Sequence, residues 1–91
     1  MKSKYRRVLL KISGELFGNE KENFDIDFLH RLSREIAHCA RDLGTQIAIV
    51  VGGGNIVRGK TIEKLGFDRI SADYMGMLAT AINSMALQNA L

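Results

Sequence analysis

Three consecutive glycines and an asparagine, Gly52–Asn55, directly follow the apolar run Ile47–Val51. That run is rich in β-branched residues and predicts a strand buried on both faces, as in parallel sheets. Glycines at the end of such a strand permit positive φ angles and the close approach of a ligand or another backbone. If a helix follows, its free N–H groups and its dipole favour an anion, most often phosphate. The alternative is a tight turn without a ligand.

A second phosphate-binding pattern overlaps the first. Residues 54–61, GNIVRGKT, match the G-x-x-x-x-G-K-[ST] loop of many ATPases and GTPases. We interpret this match as accidental, because the β-branched Ile56 and Val57 tolerate the unusual φ values of such a loop poorly. In addition, Gly66 would cut short the helix that should follow Lys60.

Two cations and one aspartate could add chemistry to the glycine turn. Lys11 stands near the end of an upstream apolar segment, and Arg58 follows the turn. Lysine brings a point charge to a phosphate and arginine a bidentate grip, so together with a row of N–H donors they would suit phosphoryl transfer. Each could instead be a surface residue. Asp73, in the first turn of the last predicted helix, either favours the helix dipole or accepts hydrogen bonds from ligand hydroxyls.

The elements that must position these residues follow from periodicity and capping signals. Arg6–Ser13 predicts a first strand, and Gly14–Asn23 predicts a polar loop. Asp25 is a candidate N-cap for a helix over Ile26–Leu43, which Gly44 would end.

Gln46–Val51 predicts the second strand of a βαβ unit, so the two strands should be parallel. Both polar turns, Lys11–Gly14 and Gly52–Asn55, should then lie at the same carboxyl edge of the sheet, where open α/β folds bind their ligands.

Beyond the glycine turn, Ile56–Ile70 predicts irregular structure or one short helix. Ser71 is a candidate N-cap for a long helix, with its methionines expected in the core. The predicted apolar stripe of this helix consists of Met75, Leu78, Ala79, Ile82, Met85 and Ala86. The helix is still running at Leu91, and two parallel strands are few for a domain. We therefore expect residues 1–91 to be the N-terminal portion of a single larger domain.

Composition narrows the class of protein. The chain is 46% hydrophobic and 25% charged, which is typical of globular domains. The net charge is +3 and no block of like charges appears, so the sequence does not indicate a nucleic-acid-binding surface. No segment predicts a membrane span or a signal peptide. The single cysteine, Cys39, predicts a buried thiol in a reducing compartment, so we expect a cytoplasmic protein. His30 and His38 are too far apart for one metal ion and should lie on the surface.

Three segments together resemble the bacterial uridylate (UMP) kinase family of the amino acid kinase superfamily. They are residues 11–15, KISGE, residues 51–59, VGGGNIVRG, and residues 72–80, ADYMGMLAT, the last being the most specific. The resemblance covers nearly the whole chain. It implies a three-layer αβα sandwich around a mainly parallel sheet. It also implies transfer of the ATP γ-phosphoryl group to UMP, giving UDP in pyrimidine nucleotide biosynthesis, with Mg²⁺ held mainly by the nucleotide phosphates.

The resemblance also implies roles for individual residues. The ATP phosphates would be bound by Lys11, Ile12, Ser13, Gly14, Gly54 and Arg58. Of these, Lys11 and Arg58 would be catalytic, with Lys11 stabilising the transferring group. Gly53 would contact UMP, and Asp73 would hold its ribose. Lys60 would lie outside the phosphate motif.

Regulation and assembly are implied as well: such enzymes are typically homohexamers, activated by GTP and inhibited by UTP. This chain departs from the family in Leu16–Phe24, which has only Gly18 where the family often has a glycine-richer segment associated with the GTP response. Two alternatives stay open. One is a carboxylate (amino acid) kinase of the same superfamily, and the other is a non-catalytic phosphate-binding or oligomerisation fragment.

Overall fold

In the computed structural model, which describes residues 4–57, 62 and 64–91, two strands alternate with helices. The elements in chain order are strand β1 (Arg7–Ile12), a 3₁₀ helix (Gly14–Phe17), helix α1 (Ile26–Arg41), strand β2 (Gln46–Val51) and helix α2 (Arg69–Ala90). The predicted strands and first helix are confirmed, apart from one or two residues at their ends. The predicted polar loop differs, because it opens with the 3₁₀ helix.

The two strands pair in parallel, in a register that runs from Arg7 beside Gln46 to Ile12 beside Val51. This is the arrangement that a βαβ unit requires. The carboxyl ends of both strands consequently meet at one edge of the sheet, and the turn after each strand leaves from that edge.

Helix α1 begins at the predicted residue, after the N-cap Asp25, and ends at Arg41, two residues before the predicted Leu43. The Asp25 carboxylate accepts a hydrogen bond from the N–H of Phe28 at 3.0 Å. That hydrogen bond favours the ionised carboxylate and lowers the pKa of Asp25. At the other end Gly44 has a φ of 68°, which lets the chain leave the helix toward β2.

Helix α2 begins earlier than predicted. Its N-cap is Asp68, whose carboxylate accepts from the N–H of Ser71 at 2.8 Å and from its hydroxyl at 3.1 Å. Ser71 is therefore the donor in the cap and not the cap itself. Because the helix starts at Arg69, Asp73 lies in the second turn. The expectation that Asp73 interacts with the dipole of the first turn is wrong, since that effect falls off beyond it.

The core lies on one face of the sheet, where both helices pack. It consists of Ile12, Phe17, Leu29, Ile36, Val51 and Leu87. The 3₁₀ helix turns Phe17 fully into this core, with its ring edge-on to that of Phe28 and 6.2 Å between the centroids. A single aromatic residue in a polar segment gave no periodic signal, which is why the sequence did not predict this helix.

The opposite face of the sheet is exposed in the part of the chain that the structure describes. Leu9 is 70% exposed, and Val50 on the neighbouring strand is half-exposed. The prediction of a strand buried on both faces is therefore wrong for these residues, because α1 and α2 cover the same side.

The predicted apolar stripe of α2 is also largely wrong. Leu78 and Met85 are 66% and 69% exposed, whereas the buried positions are Ala79, Asn83 and Leu87. The helix turns its small residues inward because they allow it to approach the glycine turn closely. A large side chain at Ala79 or Asn83 would hold it away, whereas Leu87, further along the helix, packs in the hydrophobic core.

The remaining surface predictions have mixed outcomes. His30 and His38 are exposed as expected, and the Nδ1 of His38 lies 2.7 Å from the Asp42 carboxylate. Cys39 is half-buried and not fully buried. Among the helices of the described residues, none is long and apolar enough to cross a membrane.

Candidate phosphate-binding site

The turns that follow the two strands touch each other through glycine backbones. A Cβ atom placed on Gly14 would lie 2.6 Å from the carbonyl carbon of Gly52 and from the nitrogen of Gly53. A Cβ atom on Gly52 would lie 2.8 Å from the nitrogen of Gly14. Any side chain at either position would collide with rigid backbone, so both glycines are required by this contact. We call the contact between residues 13–15 and 52–55 the glycine junction.

Helix α2 packs against the same junction at Gly53. A Cβ atom there would lie 2.7 Å from the Cβ of Ala79 and 3.2 Å from the carbonyl oxygen of Gly76. None of the three consecutive glycines has a positive φ; within the described residues only Gly44 and Gly66 do. The expected use of positive φ in this turn is therefore wrong. The glycines serve close approach on two sides instead.

A row of backbone donors is left at the junction. The N–H of Gly52 extends the sheet ladder to the carbonyl of Ile12 at 3.0 Å. The next three N–H groups, at residues 53–55, donate to no acceptor in residues 4–57, 62 and 64–91. The turn is closed by the N–H of Ile56, which donates to the carbonyl of Gly53 at 3.0 Å. Consecutive free N–H groups of this kind form a site for an anion.

Two buried asparagines support the turn from the side of the core. The amide groups of Asn55 and Asn83 exchange hydrogen bonds of 3.1 and 2.6 Å. Asn55 also donates to the carbonyl of Asn23, and Asn83 donates to the carbonyl of Gly52. The junction is thereby tied both to α2 and to the loop before α1.

Three of the residues expected to bind ATP follow one another along β1 and its turn. Ile12 is buried in the core, and Ser13 is exposed. Lys11 is exposed on the sheet face opposite the helices, as the alternation along a strand requires. It forms no hydrogen bond or ion pair with another described residue. Its ammonium group is therefore free to reach a ligand beyond the strand end.

Glu15, which sequence reasoning did not single out, also reaches the junction. A Cβ atom on Gly54 would lie 2.7 Å from Oε1 of Glu15, so the carboxylate rests against this glycine. The contact is with the flexible end of a side chain, which can move aside when a ligand arrives. The pattern KISGE placed Glu15 beside Gly14, but only the contact of the two turns brings it to Gly54.

Asp73 lies near the junction without joining it. Its carboxylate is exposed, 3.8 Å from Nε of Arg69. It precedes Gly76 by one helical turn, and the carbonyl of Gly76 faces Gly53. Arg58 lies outside the described residues, as do Gly59, Lys60 and Thr61. The described part of the chain holds no group of three or more histidine, cysteine or acidic residues that could bind a metal ion.

Asn83 is the main residue of this site that sequence reasoning missed. A polar side chain in a predicted apolar helix gave only a weak signal. The signal that could have found it is a spacing of small residues: Ala72, Gly76, Ala79 and Asn83 recur at intervals of three and four and share one face of α2.

The sequence of this chain matches a known protein family. The family model described as the amino acid kinase family matches residues 6–91, and the chain belongs to that family. Its fold is accordingly the amino acid kinase fold, as the sequence predicted. The resemblance to bacterial uridylate kinases is also confirmed: the chain is 48% identical over 90 residues to the uridylate kinase of Mycobacterium leprae (strain TN).

Solved structures of UMP kinases are also similar to this chain. The chain is similar to a UMP kinase from Bacillus anthracis, with a TM-score of 0.88 and 43% identity over 96% of this chain. A UMP kinase from Ureaplasma parvum matches with a TM-score of 0.87 and 39% identity over 97% of this chain. The chain spans 35% of the length of the M. leprae relative and 36% and 37% of the two solved chains.

Proposed function

We propose that the protein containing this chain is a UMP kinase, which transfers the γ-phosphoryl group of ATP to UMP and forms UDP in pyrimidine nucleotide biosynthesis in the cytoplasm. Residues 1–91 are then the N-terminal portion of its single amino acid kinase domain. The similarity to uridylate kinases supports this proposal, as does the anion site at the carboxyl edge of the sheet.

The observation that carries the proposal is the row of N–H groups at residues 53–55, which have no acceptor among the described residues and follow the backbone contact between Gly52 and Gly14. Phosphoryl transfer depends mainly on positioning and on stabilising charge, because the protein takes little part in the covalent chemistry. Backbone N–H groups fixed by a strand, a turn and a helix meet that need, since they do not have to reorganise as charge develops.

On the ATP side, Lys11 is the residue we assign to the transferring phosphoryl group. Its ammonium group has no partner among the described residues, so its charge is available to the phosphate oxygens. Ile12, Ser13 and Gly14 bring backbone to the phosphates, together with Gly54. Arg58 has its role from sequence alone, as a second catalytic cation.

On the UMP side, Gly53 contacts the nucleotide and Asp73 holds the ribose hydroxyls. Among the described residues, the exposed Asp73 carboxylate has a single long contact, to Arg69, so it can accept hydrogen bonds from a ligand. Asp73 lies one turn before Gly76, whose carbonyl oxygen faces Gly53, and this placement supports a shared role of Asp73 and Gly53 in UMP binding.

Magnesium fits this site as an ion that arrives with the nucleotide. Mg²⁺ keeps several waters and commonly binds through substrate phosphates and one or two carboxylates. The donors on this chain agree, because Glu15 offers one carboxylate at Gly54 and the described residues form no larger metal-binding group. When bound, the ion would neutralise charge on the phosphates.

Assembly and regulation belong to the same proposal. We propose a homohexamer that UTP inhibits, with GTP as a possible activator. The segment 16–24 concerns the GTP response, because Gly18 is its single glycine where the family often has several. Its backbone is close-packed, since a Cβ atom on Gly18 would lie 2.7 Å from the carbonyl oxygen of Asn23.

Acceptor specificity tests the proposal. The complete protein, supplied with ATP and Mg²⁺, should form UDP from UMP and should leave glutamate and aspartate unphosphorylated. Phosphorylation of an amino acid in place of UMP would identify a carboxylate kinase. Failure to turn over ATP with any acceptor, with phosphate binding retained, would identify a non-catalytic phosphate-binding module.

A further inference from the structure

The Asn55–Asn83 pair is saturated with hydrogen bonds and closed to solvent. Asn55 is 1% exposed and Asn83 is fully buried. Asn55 divides its two N–H donors between the carbonyl of Asn23 at 2.8 Å and the side chain of Asn83 at 3.1 Å. Asn83 divides its donors between the carbonyl of Gly52 at 2.7 Å and the side chain of Asn55 at 2.6 Å.

Only one orientation of the two amides satisfies all four bonds. Turning either amide by half a rotation would place NH₂ against NH₂ or oxygen against oxygen and would leave backbone carbonyls without their donors. Buried polar groups left without partners carry the full cost of their lost hydration, so the alternative orientations are disfavoured. The pair therefore acts as a rigid unit, whose geometry is transmitted to the groups that it contacts.

One of those groups belongs to the anion site. The carbonyl of Gly52 and the N–H of Gly53 are part of the same peptide unit, and in a trans peptide they point in opposite directions. There are no cis peptides among the described residues. Because Asn83 holds the Gly52 carbonyl toward α2, the Gly53 N–H is aimed away from that contact.

We propose that Asn83 is a positioning residue of the phosphate site: by anchoring the Gly52 carbonyl, and with Asn55 as its brace, it fixes the direction of the Gly53 N–H donor. This inference rests on the proposed function, in which Gly53 contacts UMP. Asn83 touches no reacting atom, and its effect is carried by one peptide plane.

Two isosteric variants separate the anchor from the brace in the complete protein. Asn83→Asp keeps an acceptor for Asn55 but loses the donor to Gly52. Asn55→Asp keeps an acceptor for Asn83 and leaves the Gly52 anchor in place. Both variants bury one carboxylate of the same size within the same side-chain pair, so they are matched for the cost of burying a charge. Ser84→Ala is the neutral control, because among the described residues the exposed Ser84 hydroxyl donates only to the carbonyl of Thr80 in the same helix.

The measurement compares the dissociation constants of UMP and uridine. Uridine lacks the phosphate, so its binding reports the rest of the pocket and the folded state. Asn83→Asp should weaken UMP binding about tenfold, the usual effect of one hydrogen bond to a charged group, and should change uridine binding less than twofold. Asn55→Asp should have a clearly smaller effect on UMP, and Ser84→Ala should have none.

The inference is overturned if Asn83→Asp weakens UMP and uridine equally, since that is the mark of a purely structural role. It is also overturned if the two isosteric variants have equal effects on UMP. Should Asn83→Asp not fold, Asn83→Ser, which keeps a shorter donor, is measured in the same way under the same criteria. Absence of UDP formation by the unsubstituted protein would overturn the proposed function and this inference with it, whereas UDP formation with equal losses overturns the inference alone.

Discussion

The two faces of helix α2 differ in a way that reverses the usual expectation. Its inward face, at Gly76, Ala79 and Asn83, is small or polar and meets the glycine junction. Its outward face carries large apolar side chains, with Leu78 66% and Met85 69% exposed. Burial at Ala79 and Asn83 therefore follows fit to the glycine backbone, whereas further along the same helix Leu87 is buried in the hydrophobic core.

The two faces should also respond differently to substitution. At Gly14 and Gly52 backbone meets backbone, and an added Cβ atom would lie 2.6 Å and 2.8 Å, respectively, from backbone atoms of the facing turn. On the outward face the side chains contact solvent in the described part of the chain, so changing them should alter the stability of residues 1–91 little.

The largest effect should come from Gly14→Ala. The new Cβ would lie 2.6 Å from backbone atoms of Gly52 and Gly53, which cannot rotate away. Overpacking of this kind costs about 3 kcal/mol, so the free energy of unfolding in urea should fall by that amount or the protein should fail to fold. Gly76→Ala is the matched control, because a Cβ there meets nothing within 4 Å. It should raise stability by up to about 1 kcal/mol, the helix preference for alanine. Equal losses of unfolding free energy in both variants would contradict the difference that we expect between Gly14 and Gly76.

Lys11→Ala should affect catalysis and leave packing unchanged. Because we assign Lys11 to charge that moves in the transition state, kcat for UDP formation should fall about a hundredfold, or roughly 3 kcal/mol, while the UMP dissociation constant stays nearly constant. A loss confined to the KM for UMP would contradict the assignment.

Lys60→Ala provides the companion measurement to Lys11→Ala. Lys60 lies in the sequence GNIVRGKT and outside the described residues, so its prediction rests on sequence alone. Kinase activity should be nearly unchanged, since we interpret that match as accidental. Abolished ATP turnover would instead identify a true phosphate loop at residues 54–61.

On the outward face, Leu78→Gln should change the free energy of unfolding by less than about 0.5 kcal/mol. Leu87→Ala, in the core on the same helix, should cost about 2–5 kcal/mol.

The exposed apolar side chains of α2 should instead promote association between molecules. Residues 1–91 expressed alone should be inactive, weakly stable and self-associating, and Leu78→Gln with Met85→Gln should reduce that association in size-exclusion chromatography. A monomeric, cooperatively melting and active 1–91 would contradict this view.

The elements that sequence predicted well are those fixed by local signals. Asp25 and Gly44 mark the ends of α1 through their own hydrogen bond and their own φ, and the βαβ spacing fixes the parallel strands. The meeting of two polar turns at one edge follows from the same topology. These features need only neighbouring residues or a general rule of chain connection.

The features that sequence did not predict depend on partners far along the chain. Asn83 faces inward because it forms hydrogen bonds with Asn55 and Gly52, which precede it by 28 and 31 residues. Phe17 is buried by a 3₁₀ turn that no periodicity announces. The cap of α2 was misplaced because Asp68 and Ser71 are both good capping residues, and only the hydrogen bonds of the folded chain decide between them.

The smallest expected effect is the pH dependence of stability that comes from the N-caps of the two helices, Asp25 and Asp68. Hydrogen bonds from the N–H groups of Phe28 and Ser71 lower the pKa of Asp25 and Asp68 in the folded protein. The unfolded chain then binds more protons than the folded one as the medium is acidified. The contribution to stability is fully present above the ordinary aspartate pKa and is lost as pH falls through the lowered folded-state value.

Asn can cap a helix without titrating, so Asp25→Asn and Asp68→Asn should each flatten the acid limb of a plot of urea stability against pH and change little near neutrality. The flattening should be similar in the two variants, because both caps are in contact with solvent and neither depends on the glycine junction. Acid limbs parallel to that of the unsubstituted protein would mean that the capping carboxylates do not contribute to acid unfolding. A much larger effect for Asp68→Asn would mean that the start of α2 is coupled to its inward face, and the contrast between the junction and the rest of the helix would have to be redrawn to include the cap.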